Sequence, residues 1–152
     1  MDIPLWAAVL QDVNNRFMND LATLQDATPV GDFINEITRP VVKSGRRFRA
    51  LDATGKDLEI LQAISRPSCR ISGLTNMMLH EHLSGKSSRT QRTEKQLSAK
   101  ISRHLRLLRA HGLIRKIPKQ NRYQLTLKGT KLTNVVKAFL AASTENLLKM
   151  AA

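Results

Sequence analysis

The spacing of apolar residues changes at Gly112, and this change constrains the fold more than any other feature of the sequence. Before the glycine, apolar residues recur at the intervals of one helix face: Leu97, Ile101, Leu105 and Leu108. After it, the segments LIRKIP and RYQLTL alternate or carry β-branched residues, and the short link KQN joins them. Because glycine readily adopts the left-handed conformation that ends helices, the sequence predicts a helix to His111 followed by a β-hairpin.

Helical spacing also dominates the segments on either side of this pair. Thr93 and Gln96 form a capping box that predicts the start of the helix. Two shorter helices are predicted before it, one from Lys56 to a point before Pro67 and one between the N-cap Thr75 and the C-cap Gly85. A further helix is predicted after the hairpin. A hairpin alone is unstable, so it needs the preceding helix to pack against. This order predicts a mainly α fold with a small β-hairpin, arranged as a winged helix-turn-helix with flanking N- and C-terminal helices.

Breaks in the spacing divide the chain into four segments. We predict a helical N-terminal arm (1–40), a basic linker (41–55), the winged helix-turn-helix domain (56–128) and a C-terminal helix (129–152). One side of the N-terminal arm is apolar: Trp6, Leu10, Val13, Phe17, Leu21 and Leu24. An exposed stripe of this length favours association, so we expect a homodimer formed with help from Val136, Phe139 and Leu140. The alternative is that both terminal helices cover the core of one monomer.

Positive charge is concentrated in the helix and hairpin. The chain carries 25 lysines and arginines against 12 acidic residues, a net charge of +13. From Lys86 to Lys128 there are thirteen basic residues and one acidic residue, Glu94. Such a block within a periodic segment favours contact with a polyanion over a merely solvated surface. A membrane surface is disfavoured, because the apolar face is short, lacks aromatics and is followed by a hairpin that competes for it.

The predicted helix separates its apolar and basic residues onto two faces. With Ile101 at the centre of the buried face, Leu97, His104, Leu105 and Leu108 lie within roughly 60° of it. The opposite face and its flanks carry groups that suit nucleic acid: Arg92, Lys95, Gln96, Ala99, Lys100, Arg103 and Arg106. Arginine can pair bidentately with guanine and glutamine with adenine, and the major groove admits one helix. The small Ala99 permits close approach.

The hairpin tip is predicted to act as a wing on the DNA backbone or minor groove, through Lys119, Gln120, Asn121 and Arg122. The predicted partner is double-stranded DNA, since the basic face lacks the aromatic residues on which single-stranded bases stack.

The segment RHLRLLRAHGLIRKIPKQNRYQLTLKG resembles the recognition helix and wing of winged helix-turn-helix DNA-binding proteins of the MarR/ArsR-like kind. The phrase LRxHGLI followed by RYxLTxxG is similar to their series of helix end, strand, wing and strand. Together with TRPVVKSGRRFRALD, the segment also resembles a bacterial family of unassigned function. The likeness covers about Val41 to Gly129 and implies a DNA-binding domain. It implies neither a target sequence nor a ligand.

The sequence offers no catalytic or metal-binding constellation. SGKSS lacks the earlier glycine of a phosphate loop, because His80 stands in its place. Cys69 is the only cysteine, so neither an internal disulfide nor a cysteine-based zinc site is predicted. Glu94 has no acidic neighbour with which to bind a nuclease-type metal. We therefore expect no enzymatic activity, no metal and no cofactor.

The leading hypothesis is a cytoplasmic, nucleoid-associated transcriptional regulator that binds double-stranded DNA in a sequence-specific manner. The lone cysteine, and the absence of a basic leader or a long apolar run, underlie the expected location. The alternative is a nucleic-acid-binding or adaptor subunit of a larger mobile-element or nuclease complex. In that case the acidic N-terminal helix would dock a protein partner.

Overall fold

The computed structural model describes residues 29–84 and 91–142, with residues 7–8, 10–11, 14–15, 18 and 148–149 near the ends; for 91–93 it describes the backbone alone. The elements in chain order are α1 (Val30–Ile37), β1 (Val41–Lys43), β2 (Arg46–Phe48), α2 (Leu58–Ile64), α3 (Pro67–Ser72), α4 (Asn76–Ser84), α5 (Gln91–Ala110), β3 (Ile114–Lys116), β4 (Tyr123–Leu125) and α6 (Leu127–Ala141). The described part is mainly helical with short antiparallel hairpins, which confirms the predicted mainly α class with a small hairpin.

The core is aliphatic, as a chain with 4% aromatic residues requires. Five helices and the start of the β3–β4 hairpin contribute side chains that are at most 1% exposed, among them Ile37, Leu61, Ile64, Leu79, Ile101, Leu108, Leu113 and Leu132. Helix α5 supplies the central members, so its apolar face is fixed against the rest of the domain. The opposite face is thereby held outward.

The short helices before α5 differ from the prediction in one respect. Pro67 ends the predicted first helix but also begins a new one, α3, because proline fits the first turn of a helix. Gly73, with φ +78°, follows α3 and allows the chain to turn towards α4. The predicted N-cap of α4 is confirmed, since the hydroxyl of Thr75 accepts a hydrogen bond from the backbone N–H of Met78 at 3.1 Å.

The start of α5 was predicted wrongly. The helix begins at Gln91, so Thr93 lies inside it rather than at its N-cap. A capping-box pattern marks a favourable start but does not prevent a helix from extending past it. The predicted end is confirmed to within one residue, because α5 stops at Ala110 and Gly112 has φ +73°. The predicted C-cap Gly85 lies outside the described residues.

The β3–β4 hairpin is attached to the domain by backbone hydrogen bonds. Strands β3 and β4 pair with Ile114 opposite Leu125 and Lys116 opposite Tyr123. Tyr123 also exchanges two backbone hydrogen bonds with Leu74, at 2.7 and 2.8 Å. These bonds add a third pairing partner to a hairpin that would be marginal alone.

The segment predicted as a basic linker contains the other antiparallel hairpin, β1–β2. Strands β1 and β2 pair with Val41 opposite Phe48 and Lys43 opposite Arg46. The turn residues Ser44 and Gly45 have φ of 52° and 72°, the left-handed conformations that tight two-residue turns use. Residues 41–48 of the predicted linker are thus paired strands, and a Ser-Gly turn between short strands has the composition of a linker.

The predicted dimer stripe is only partly described. Trp6, Val13, Phe17, Leu21 and Leu24 lie outside the described residues, and Leu10 is exposed. On α6, Phe139 and Leu140 are exposed, but Val136 is 4% exposed and belongs to the core, which corrects its predicted place in an interface. Among the described helices, none has the length and apolar character needed to cross a membrane.

Candidate nucleic-acid interface

The two faces of α5 are arranged largely as the sequence predicted. Ile101, Leu105 and Leu108 are buried, and Leu97 and His104 are half-buried. The candidate DNA-binding residues whose side chains are described are all exposed on this helix: Lys95, Gln96, Ala99, Lys100, Arg103 and Arg106. The side chain of Arg92 lies outside the described residues. The helix therefore presents a basic surface on the side away from the core.

The C-terminal half of that outward surface is partly covered. Ala110 lies roughly 180° around the helix from Ile101 and Leu107 lies at roughly 240°, yet they are only 8% and 5% exposed. Both line grooves with Phe48 of the β1–β2 hairpin. The hairpin thus lies against the C-terminal half of α5, whereas Glu94, Lys95, Gln96 and Ala99 in the N-terminal half are exposed among the described residues.

A buried carboxylate joins this hairpin to α5. Asp57 is 0% exposed and accepts two hydrogen bonds from the guanidinium of Arg49, at 2.6 and 2.7 Å. It also accepts one from the backbone N–H of Asp52 at 2.9 Å, and Nε2 of His104 lies 3.1 Å from it. Burial opposes ionisation of this carboxylate, but the bonds from Arg49 and Asp52 outweigh that effect and hold the pKa of Asp57 below its ordinary value.

Two further contacts fix the hairpin to the end of α5. Lys43 donates to the backbone carbonyl of Arg109 at 3.2 Å, and Nε2 of the buried His111 lies 2.9 Å from the backbone carbonyl of Arg49. A cation at the last carbonyls of a helix is favourable, because those groups lack partners within the helix. His104 and His111 both hold the hairpin in place.

Two open grooves run along the sides of the hairpin and are lined with cations. The first groove, of about 440 Å³, contains Arg47, Arg49, Lys100, Arg103 and Arg106. The second groove, of about 380 Å³, contains Lys43, Arg46, Arg106 and Arg109. The structure thus brings three predicted site residues, Lys100, Arg103 and Arg106, together with basic residues that were not predicted. The available signal was the motif KSGRRFR, in which a Ser-Gly pair separates short basic strands.

The predicted wing tip is a separate basic group. Lys119, Gln120, Asn121 and Arg122 are exposed between β3 and β4, and Lys119 has φ +60°. Arg122 donates to the backbone carbonyl of Ser72 at 2.8 Å, so it helps to hold the tip beside the end of α3. Lys119 is the freer cation of this tip.

Few acidic groups lie around this surface, and they include the exposed Glu94 of α5. Glu59 lies 3.9 Å from Lys100, and both side chains are about half exposed, so the pair is weak. Within residues 29–84 and 91–142, no cluster of three or more His, Cys, Asp or Glu residues is placed to hold a metal ion. Cys69 is buried, and this burial raises the pKa of its thiol. The arrangement offers charge and hydrogen-bond donors to an anionic partner.

The comparisons with known proteins identify no relative: no family model, no curated protein and no solved structure matches this chain.

Proposed function

We propose that this chain is a winged helix-turn-helix protein that binds double-stranded DNA and regulates transcription. The observation that carries the proposal is the exposed basic surface of α5, whose opposite face is fixed in the core. A helix supported in this way can enter the major groove without losing its packing. The concentration of thirteen basic residues against one acidic residue between Lys86 and Lys128 supplies the attraction to phosphate.

The arrangement of elements supports the winged interpretation. Helix α4 packs against α5 as the first helix of a helix-turn-helix pair would, with Leu79 and Ile101 in a shared core. The β3–β4 hairpin follows α5 directly and pairs with Leu74 just before α4. In this proposal the hairpin is the wing, and Lys119, Gln120 and Asn121 contact the backbone or minor groove.

Base contacts are assigned to two exposed residues of α5, Gln96 and Arg103. Helix-turn-helix proteins read bases with the first turns of the recognition helix. Gln96 is exposed in the N-terminal half, Arg103 is exposed just past the midpoint of α5 where it lines the first groove, and Ala99 between them permits close approach. Gln96 can pair with adenine and Arg103 with guanine, whereas Lys95 and Lys100 suit phosphates.

A two-fold dimer is part of the proposal. Phe139 and Leu140 are 55% and 47% exposed near the end of α6, and covering them against a second copy would remove apolar surface from water. Such a dimer would place two recognition helices about one DNA turn apart. Light scattering at micromolar concentration tests this point. A monomer would contradict the dimer and favour the role of a subunit in a larger complex.

Sequence-specific binding is tested by selecting duplexes from a random pool and then substituting Arg103. We expect Arg103→Ala to lower affinity for the selected duplex by about 1–3 kcal/mol if the guanidinium pairs with a base. Its thermal unfolding should be unchanged, because the side chain is exposed. The matched control is Lys137→Ala, which removes an exposed cation from α6.

Two results would contradict this proposal. One is a selection that enriches no sequence. The other is an Arg103→Ala variant that unfolds more readily while its folded fraction binds DNA as wild type does, since the predicted facing of α5 would then be wrong.

A further inference from the structure

We propose that the β1–β2 hairpin is a second DNA-contacting element, which places Arg46 and Arg47 on phosphates of the duplex beside the helix α5. This inference rests on the proposed function of α5 and extends the contact surface to a part of the chain outside the helix-turn-helix and its wing. It assigns the hairpin a backbone-contacting role that is independent of base sequence.

The charges within the hairpin are unfavourable in the free protein. Lys43 stands directly opposite Arg46 in the register, and like charges in that position destabilise a strand pair. Arg47 adds a third cation in the next position of β2. Among the residues that the structure describes, neither Arg46 nor Arg47 has an acidic partner. The carbonyl of Arg109 partly compensates the charge of Lys43, but Arg46 and Arg47 pair with no acidic side chain among the described residues, and a polyanion would supply that negative charge.

The two arginines point to opposite sides of the hairpin and extend the charge of α5 on both. Arg47 lines the first groove with Lys100 and Arg103, and Arg46 lines the second groove with Arg109. Arg106 lines both grooves and so connects them. The hairpin surface is therefore continuous with the surface assigned to the major groove. A duplex that accepts α5 would bring phosphates towards these cations, because the backbone borders the groove on each side.

The hairpin is held in a fixed position before DNA arrives. Asp57 joins Arg49 to His104, His111 binds the carbonyl of Arg49, and Lys43 binds the carbonyl of Arg109. These contacts connect both ends of the hairpin to α5. Preorganised cations lose less conformational entropy on binding than cations on a disordered segment. This anchoring favours a defined contact with a regular polyanion, and DNA is the polyanion that α5 would bind.

The test compares two double variants that each remove two exposed cations. The first is Arg46→Ala with Arg47→Ala. The matched control is Arg66→Ala, just before α3, with Lys137→Ala, in α6. Each is titrated with a selected and an unrelated duplex at several salt concentrations. The hairpin variant should weaken binding to both duplexes by the same factor. Its slope of log affinity against log salt should become shallower by about 0.9 for each lost phosphate contact, which is about 2 for each protomer bound and about 4 for a dimer.

A second measurement does not depend on the stability of that variant. A photo-crosslinker attached through Ser44→Cys, in the exposed turn, should label the duplex, while the native Cys69 is buried and should not react. An unchanged salt slope together with no crosslink would overturn the hairpin proposal, while loss of affinity in Arg103→Ala would still support the function of α5. Absence of duplex binding by wild type would overturn both. Polyglutamate is titrated as a model of an acidic protein. If the hairpin variant loses affinity for polyglutamate but binds both duplexes as wild type does, the DNA role of the hairpin is wrong and its partner is an acidic protein.

Discussion

The Gly129→Ala substitution is expected to lower the free energy of unfolding by at least about 3 kcal/mol. Gly129 lies in the first turn of α6, where its Cα faces the backbone of Leu113. A Cβ there would overlap the carbonyl oxygen of Leu113, and it would lie 2.9 Å from the carbonyl carbon and 3.0 Å from Cδ2 of Leu125. The same carbonyl oxygen accepts a hydrogen bond from the backbone N–H of Thr126 at 3.0 Å, so it cannot move away freely.

The loss of stability should extend to the proposed wing, because Leu113 leads directly into β3. Gly31→Ala is the matched control, since a Cβ at that position in α1 would meet nothing within 4 Å. That change should be neutral or stabilise the protein by up to about 1 kcal/mol, as expected for alanine in a helix. Urea denaturation followed by circular dichroism measures both variants. Equal stability of Gly129→Ala and wild type would show that α6 and Leu113 do not approach as described.

The Asp57→Asn substitution is expected to lower the free energy of unfolding by about 2–4 kcal/mol, which is less than for a wholly buried pair because half of the Arg49 side chain is exposed. The amide would leave the guanidinium of Arg49 without its charged acceptor and weaken the contact with His104. Glu59→Gln is the control. Its partner Lys100 is 3.9 Å away and both are about half exposed, so the loss should stay below about 0.5 kcal/mol.

The pH dependence of Asp57 gives this prediction a second readout. Since the folded protein holds the pKa of Asp57 below its ordinary value, the ionised carboxylate stabilises the fold above the unfolded pKa of about 3.9. That contribution is lost as the pH falls through the lower, folded pKa. The difference in unfolding free energy between wild type and Asp57→Asn should therefore shrink below about pH 4. A difference that grows on acidification would contradict the assigned ion pair.

Patterns that span a few residues predicted the orientation of α5, its end and the N-cap of α4. The period of Leu97, Ile101, Leu105 and Leu108 was sufficient to orient α5, and Gly112 was sufficient to end it, because both effects act within a few residues. Thr75 caps α4 for the same reason. The prediction for Thr93 failed because a cap competes with continued helix, and the sequence alone does not decide that balance.

Long-range contacts account for what the sequence could not predict. The burial of Leu107 and Ala110 follows from the β1–β2 hairpin, which comes about sixty residues earlier in the chain. Asp57 had the appearance of an ordinary N-terminal helix residue, and its burial depends on Arg49 and His104 meeting in three dimensions. The hairpin cations Arg46 and Arg47 were therefore assigned to a linker, although they lie beside the residues predicted to bind DNA.

The most direct test of the account is the salt dependence of affinity for duplex DNA. If two copies together contact roughly 6–8 phosphates, log affinity should fall with log salt at a slope near −0.9 per phosphate. Fluorescence anisotropy of a labelled duplex, titrated with wild-type protein at several salt concentrations, measures the slope, and a single strand of the same length serves as the comparison. We predict a slope between about −5 and −7 with tighter binding to the duplex. Affinity that does not change between low and moderate salt, or that is higher for the single strand, would contradict the proposal that α5 binds double-stranded DNA.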